Sequence, residues 1–217
     1  MTLSIAARCH DTGQLGIGAI THMIGIGKLV THASPSVGAV ATQGEMNPYH
    51  GIDGIRRLAD GHDARSALEP LVHADAGRQE RQSAAVDARG GTWAWSGTRL
   101  PGWAGHRCDE GFTVQGNRLV GSQTIDAVVD AFREHRDEPL AERLVCALEG
   151  GHATGADHAG ERSATLYVMA DEEYPLWDIR VDQSDDPVLE LRRLYDVFLE
   201  EVLPTIEGLP GRATNVW

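Results

Sequence analysis

Hydrophobic and polar positions along this chain fall into blocks, strand-like first and helix-like second, and the order repeats. Residues 4–8 and 14–21 have strand composition and flank Asp11-Thr12-Gly13, a hairpin signal. Residues 28–32 and 37–43 continue as strands, the second rich in small side chains that permit close packing. The spacing then turns helical over 51–59, with Ile52, Ile55, Leu58 and Ala59, and over 64–73, with Ala67, Leu68, Leu71 and Val72. Gly61 ends the first helix and Asp63 caps the second. A second strand block follows at 83–88, 92–96, 106–109 and 113–115, with a tight turn at Gly90-Gly91. Two more helices are predicted at 124–135, capped by Ser122, and at 140–149, started by Pro139. Residues 164–170 and 176–181 restore strands. Asp186-Pro187 then opens a long helix to about Leu203, where Pro204 stops it.

Both strand blocks carry apolar residues on alternating faces. Two antiparallel sheets packed together, each covered outside by helices, satisfy that order, so the expected fold is α+β, a four-layer αββα sandwich. With no repeat, linker or low-complexity segment, residues 1–217 are expected to form one domain with a loose tail from about 208.

Composition narrows the partners. Apolar content of 41% and charged content of 24% are those of an ordinary globular protein. A formal charge of −13 argues against nucleic acid or an anionic membrane surface, which would repel the chain. There is no basic leader followed by an apolar stretch and no run long enough to span a bilayer. Cys9, Cys108 and Cys146 are an odd number without close pairing, which suits reduced thiols and a cytoplasmic location. The ten histidines form no His-x-x-x-His motif, and no Cys-x-x-Cys exists. His152, Asp157 and His158 make the nearest cluster, in a loop, and neither a metal nor any other cofactor is expected. Gly13, Gly16 and Gly18 have no following helix and are not a dinucleotide fingerprint.

The start of the chain carries the sharpest chemistry. A small residue at position two normally allows the initiator methionine to be trimmed, leaving Thr2 with a free α-amine beside its hydroxyl. Nucleophile and base then share one amino acid. The amine's ordinary pKa of about 7.7–8.0 leaves part of it neutral near pH 7 and able to accept the hydroxyl proton.

The blocks Thr2 with Ser4-Ile5, the run from Gly38 to Gln43, Asn47-Pro48, Arg81-Gln82, Ala104-Gly105-His106, Val114-Gln115-Gly116-Asn117, Ser163-Ala164, Val181-Asp182 and Asp186-Pro187-Val188 are spread over nearly the whole chain. In these the sequence resembles an uncharacterised bacterial and archaeal family of the N-terminal-nucleophile hydrolase-like superfamily, whose members begin Met-Thr-x-Ser-Ile-x-Ala. The resemblance implies an αββα sandwich with the chain start at the end of a central strand. It also implies hydrolysis of a carbon–nitrogen amide bond in a small molecule or short peptide. Two stretches depart from the family pattern. His50 stands where an aromatic is common, and the loop at 157–163 has Ala159 at a basic position and Arg162 where glutamine is usual.

Around Thr2 as nucleophile, Gln115 and Asn117 flank Gly116 and are the candidate oxyanion donors, with an ordinary turn as the competing reading. His106 could tune the amine or hold the leaving group, or be a neutral core histidine. Thr42 and Gln43 end a small-residue strand and could lie beside Thr2. Arg81 and Arg162 could clamp a substrate carboxylate. Ser163 could hydrogen-bond the α-amine, and Asn47 completes the substrate-binding set. Lys28 is expected to be solvated. Val188, Leu191, Leu194, Tyr195 and Phe198 form an apolar stripe that either supports a homodimer or higher homo-oligomer or faces its own sheet. The rival functional class is a catalytically silent small-molecule binding protein on the same fold.

Overall fold

The turn at Asp11-Thr12-Gly13 sets the register of the first hairpin. Gly13 takes φ 73°, a left-handed value that suits glycine, and the Cys9 N–H bonds the Gln14 carbonyl at 2.8 Å. β1 (Thr2–Arg8) therefore pairs with β2 (Leu15–Thr21) so that Thr2 lies opposite Thr21. The computed structural model describes residues 2–156 and 159–212. After β2 come α1 (Gly27–Val30), β3 (Thr31–Ser34), β4 (Gly38–Gly44), α2 (Pro48–Ala59) and α3 (Ala64–Ala74). A 3-10 turn at Arg78–Glu80 leads into β5 (Arg81–Asp87), β6 (Thr92–Ser96), β7 (Trp103–Asp109) and β8 (Phe112–Leu119). α4 (Ser122–Glu134), α5 (Leu140–His152), β9 (Ser163–Met169), β10 (Trp177–Val181), α6 (Pro187–Val197) and α7 (Leu203–Glu207) complete it.

The strands form two antiparallel sheets, one of six strands in the order β10-β9-β2-β1-β8-β7 and one of four in the order β3-β4-β5-β6. Alternation along each strand sorts the side chains. Leu3, Ile5 and Ala7 of β1 join Val114 of β8 and Leu144 and Leu148 of α5 in a core under α4, α5 and α6. Val40, Ala85, Leu58 and Leu68 form a separate core between the four-stranded sheet and α2 and α3. Ala6, Leu15, Ile17, Ala19, Ala39, Ala41 and Val86 fill the space between the sheets. At one end of that same space the filling turns polar, with Thr2, Ser4, Gln43, Gln82, Gln115 and Asn117 all buried.

The glycines of β2 have a packing reason. A Cβ on Gly16 would come within 2.8 Å of Leu144 and one on Gly18 within 3.1 Å of Leu148, so both let α5 lie close on the sheet. Gly38 is tighter, because a Cβ there would stand 2.7 Å from the Val86 carbonyl oxygen and 2.6 Å from Leu58. Backbone cannot yield as a side-chain tip can. Gly38→Ala is therefore expected to cost about 1–3 kcal/mol, seen as a lower urea midpoint with an unchanged m-value.

Several element ends differ from those expected. Residues 28–32 are not one strand: α1 occupies Gly27–Val30, closed by the Thr31 hydroxyl donating to the Gly27 carbonyl at 3.1 Å, and β3 starts at Thr31. One helical turn is too short to leave a periodic signature. Asn47 caps α2 by accepting from the Tyr49 N–H at 3.1 Å, so that helix begins at Pro48, earlier than its apolar spacing indicated. Gly121, not Ser122, holds the cap position of α4, and Pro139 precedes α5 as its cap residue. β8 runs on to Leu119 and β7 begins at Trp103. Pro204 does not stop the last helix; a π turn at Phe198–Val202 intervenes, and Pro204 sits in the first turn of α7, where its missing N–H costs nothing. Asp63 caps α3 through the Ser66 N–H at 2.7 Å, and Gly61 takes φ 92° after α2, both as read from the sequence. Residues 213–217 of the tail lie outside the described residues.

The apolar stripe of α6 faces its own sheet. Val188, Leu191 and Tyr195 are buried, and Trp177 of β10 stacks on Tyr195 and Phe198 at 4.8 Å each. That surface is therefore not free to receive a second copy. Among the described residues no helix is long and apolar enough to cross a membrane.

Candidate active site

Pairing across the four central strands of the large sheet places four polar residues in one row near one end of those strands. Asn117 of β8 is opposite Thr2, Thr2 is opposite Thr21 of β2, and Thr21 is opposite Ser163 of β9. Thr2 is 7% exposed, yet it opens on a cavity of about 560 Å³. Thr21, Asn117, Arg118, Arg162, Glu45, Glu80 and Arg99 bring polar groups to that cavity, and Met23, Ile24, Met46, Leu100 and Pro101 bring apolar ones. The Thr2 and Thr21 hydroxyl oxygens are 3.1 Å apart, within hydrogen-bond reach of each other.

Behind Thr2 lies a closed amide network. Gln43 donates from Nε2 to the Thr2 carbonyl at 3.1 Å and to Gln82 Oε1 at 3.0 Å, while its own Oε1 accepts from the Ser4 hydroxyl at 2.7 Å. Asn117 Nδ2 donates to the same Gln82 oxygen at 2.8 Å. Gln82 Nε2 in turn donates to Ser96 Oγ and to the Gly116 carbonyl, both at 2.8 Å. Alternation is the cause: residues 2 and 4, 43, 82, and 115 and 117 all face the space between the sheets. Apart from Gln115 Oε1, which is buried without a hydrogen-bond partner, the described members are satisfied, and such a network holds them in one geometry.

The other site residues expected from sequence are distributed as follows. Gln43 lies beside Thr2, whereas Thr42 faces the opposite side and donates to the Asn47 carbonyl at 3.2 Å. Asn117 and Arg162 line the cavity, and Gln115 does not; its Nε2 donates to the Ala41 carbonyl at 3.1 Å between the sheets. His106 is also outside the cavity, on β7, with Nδ1 2.9 Å from Ser96 Oγ. Desolvation by the atoms crowding its ring lowers its pKa from the ordinary histidine value. Ser163 donates to the Met23 carbonyl at 2.6 Å. Lys28 stands over the Tyr167 ring, 3.0 Å from its centre, away from Thr2. His152 pairs with Glu161 at 3.2 Å; Asp157 and His158 lie outside the described residues.

Arg81 and Asn47 are held by Asp75, not by the cavity. Asp75 Oδ2 lies 2.7 Å from Arg81 Nε, 2.9 Å from Asn47 Nδ2 and 3.1 Å from His50 Nε2. Arg81 also donates to the Glu45 carbonyl, which ties the cavity loop to the end of α3. Ser83, fully buried, is 2.9 Å from His50 Nδ1. This serine, histidine and aspartate chain is closed to solvent at its serine, and through Arg81 it is tied to the loop at Glu45. Burial lowers the His50 pKa despite the nearby carboxylate. A neutral His50 in the fold and an ordinary one in the unfolded chain make stability complete above about pH 6.5. Stability then falls as pH drops, because the unfolded chain takes up the proton first. The lowered pKa of Asp75 adds a second loss only below about pH 3.9. His50→Gln is expected to flatten the slope of unfolding free energy between pH 6.5 and 5, measured by urea titration at each pH; an unaltered slope counts against this assignment.

Sequence reasoning missed Thr21, Gln82 and Arg118. Thr21 was within reach, since the hairpin turn fixes its register to Thr2. Gln82 stood in the Arg81-Gln82 block with no role assigned to it, and Arg118 had no sequence signal.

Residues 2–191 match the family of unknown function DUF1028, and the chain belongs to that family. A crystal structure of protein SPO2555 from Silicibacter pomeroyi, of the same family, is 26% identical with a TM-score of 0.89, covering 98% of this chain and 96% of that one. Anbu (ancestral beta-subunit) from Yersinia bercovieri is 13% identical with a TM-score of 0.48, over 96% of this chain and 98% of that one. A search of curated proteins finds no significant match.

Proposed function

We propose that this protein is an N-terminal-nucleophile hydrolase that cleaves a carbon–nitrogen amide bond in a small molecule or short peptide. In this reading the stacked sheets and helices are the αββα sandwich of that superfamily, and residues 1–217 act as one domain. The observation that carries it is the position of Thr2, with a braced carbonyl and a hydroxyl opening on a cavity large enough for a small substrate.

Removal of Met1, which lies outside the described residues, would leave the Thr2 amine free. Thr2 Oγ1 attacks the amide carbonyl carbon while the α-amine accepts the hydroxyl proton. The same proton passes to the leaving nitrogen as the C–N bond breaks, and an ester to Thr2 remains. Water then attacks that ester, the amine relays the water's proton to Oγ1, and the acid leaves. Asn117 uses one N–H on Gln82, so its second N–H is available to the developing oxyanion.

Intact-mass measurement and labelling with a β-lactone test the reading together. Loss of the methionine and a single adduct mapping to Thr2 support it. Retained Met1, or an adduct elsewhere, overturns it. Ligand-dependent rises in Tm without turnover of any amide would favour the binding-protein reading.

A further inference from the structure

The cavity carries a charge opposite to that of the protein. Among its described lining residues, three arginines, Arg99, Arg118 and Arg162, stand against two glutamates, Glu45 and Glu80, a net of one positive charge in a chain of net charge −13. Arg99 and Glu80 neutralise each other, with Nε and Oε1 2.6 Å apart. The remaining arginines, 118 and 162, are exposed at the rim.

Their placement follows from the sheet. Arg118 follows Asn117 and Arg162 precedes Ser163, the two ends of the polar row that contains Thr2 and Thr21. Three strand spacings put those ends roughly 14 Å apart, with Thr2 between them. Arg162 is tied there by its backbone, whose N–H donates to the Thr21 carbonyl at 2.8 Å.

Arg118 reaches the cavity through an unusual backbone. In a regular strand, neighbours point to opposite faces, so Arg118 would point with Val114 and Gly116 toward the helices. Instead it takes φ 55°, a left-handed conformation uncommon outside glycine. The alternation breaks at that point: Leu119 joins the helix-facing core, and Arg118 lines the same cavity as Asn117. The Arg118 N–H is held by the Pro101 carbonyl at 3.1 Å, and Gly102 makes room, since a Cβ there would be 3.0 Å from the Arg118 Cα. Strained backbone that re-aims a side chain into a cavity marks a functional position.

We infer that Arg118 and Arg162 are the anion-recognising arms of this cavity, and that its substrate is an amide with an apolar body and one carboxylate. Guanidinium groups match a carboxylate in plane and can bond it through two N–H groups. Met23, Ile24, Met46 and Leu100 supply the apolar wall. Glu45 on the same rim opposes a second negative charge, which favours a monoanion over a phosphate dianion. This inference builds on the hydrolase reading, with binding as its own readout.

The test uses the Thr2→Ala protein, so that no turnover is possible, and calorimetric titration with N-acylglycines of two to eight acyl carbons and the matching neutral N-acylglycinamides. At least one acid is expected to bind tenfold or more tightly than its amide, with affinity falling as salt rises. Arg118→Gln and Arg162→Gln are each expected to remove most of that preference while the thermal transition stays cooperative. Equal binding of acid and amide, binding of neither across the series, or a preference unaltered in both variants overturns the inference. If wild-type protein is not labelled at Thr2 but the acids still bind preferentially, the hydrolase reading fails and the anion site stands. Labelling at Thr2 without any preference gives the reverse.

Discussion

Thr2→Ala is expected to abolish adduct formation with a β-lactone and to lower hydrolysis of any amide substrate by about a thousandfold or more. The size of the effect follows from the double duty proposed for this residue. Its side chain supplies the attacking oxygen and its own backbone end supplies the base, so nothing else in the cavity replaces the lost hydroxyl. Thr21 is the nearest alcohol, but its oxygen sits 3.1 Å from that of Thr2, and a residue in mid-chain has no free amine. Thr2→Ser is the informative partner variant because it keeps the hydroxyl and the trimming of Met1. Serine is expected to retain labelling at a reduced rate, since it loses the methyl that restricts χ1. Full activity in Thr2→Ala would place the chemistry elsewhere. Inactivity in both variants with an unchanged Tm would point to a requirement for the threonine methyl in orienting Oγ1.

The second large effect concerns a residue outside the cavity. Gln82→Leu is expected to destabilise the protein by about 3 kcal/mol or more, read as a lowered urea midpoint in far-UV circular dichroism. Gln82 is fully buried and connects Gln43, Asn117, Ser96 and the Gly116 carbonyl. Leucine has nearly the right volume but leaves these donors and acceptors facing an apolar chain with no water to replace the amide. The same variant is expected to slow labelling of Thr2, because Gln43 holds the Thr2 carbonyl and is itself held by Gln82. A loss below about 1 kcal/mol would show that the network is decorative and its members independently solvated.

The legible part of this fold was its periodicity. Alternation over β1, β2, β4 and β5 and helical spacing over α2, α3, α4 and α5 were read near their observed places, since each depends only on which side of one element is buried. Asp63 and Gly61 were legible for the same local reason, as a cap and a left-handed stop. α1 was not, because its four residues are helical only while Ile26 and Val30 are buried between two sheets that the local sequence does not contain. Pro204 misled because a helix can resume after a π turn with proline in its first turn.

The candidate site divides in the same way. Thr2, Gln43, Asn117 and Arg162 were singled out by residue type and position, and the fold gathers them around one cavity edge. Arg81, Asn47, Gln115 and His106 have equally suitable chemistry and are engaged elsewhere, within one or two strands on the same sheet, on the other sheet or at a helix end. Residue type announces what a side chain can do. Only its neighbours decide whether a substrate can reach it.

By itself, then, the sequence determined the strand and helix blocks, the register of the first hairpin and the presence of a hydroxyl residue at the second position, all short-range properties of the chain. Tertiary structure alone decided that Asn117 flanks Thr2, that Gln82 braces them from behind, and that a left-handed backbone brings Arg118 to the same cavity. These depend on strand order and on the facing of two sheets, which arise from packing between segments far apart in the chain, some by more than a hundred residues.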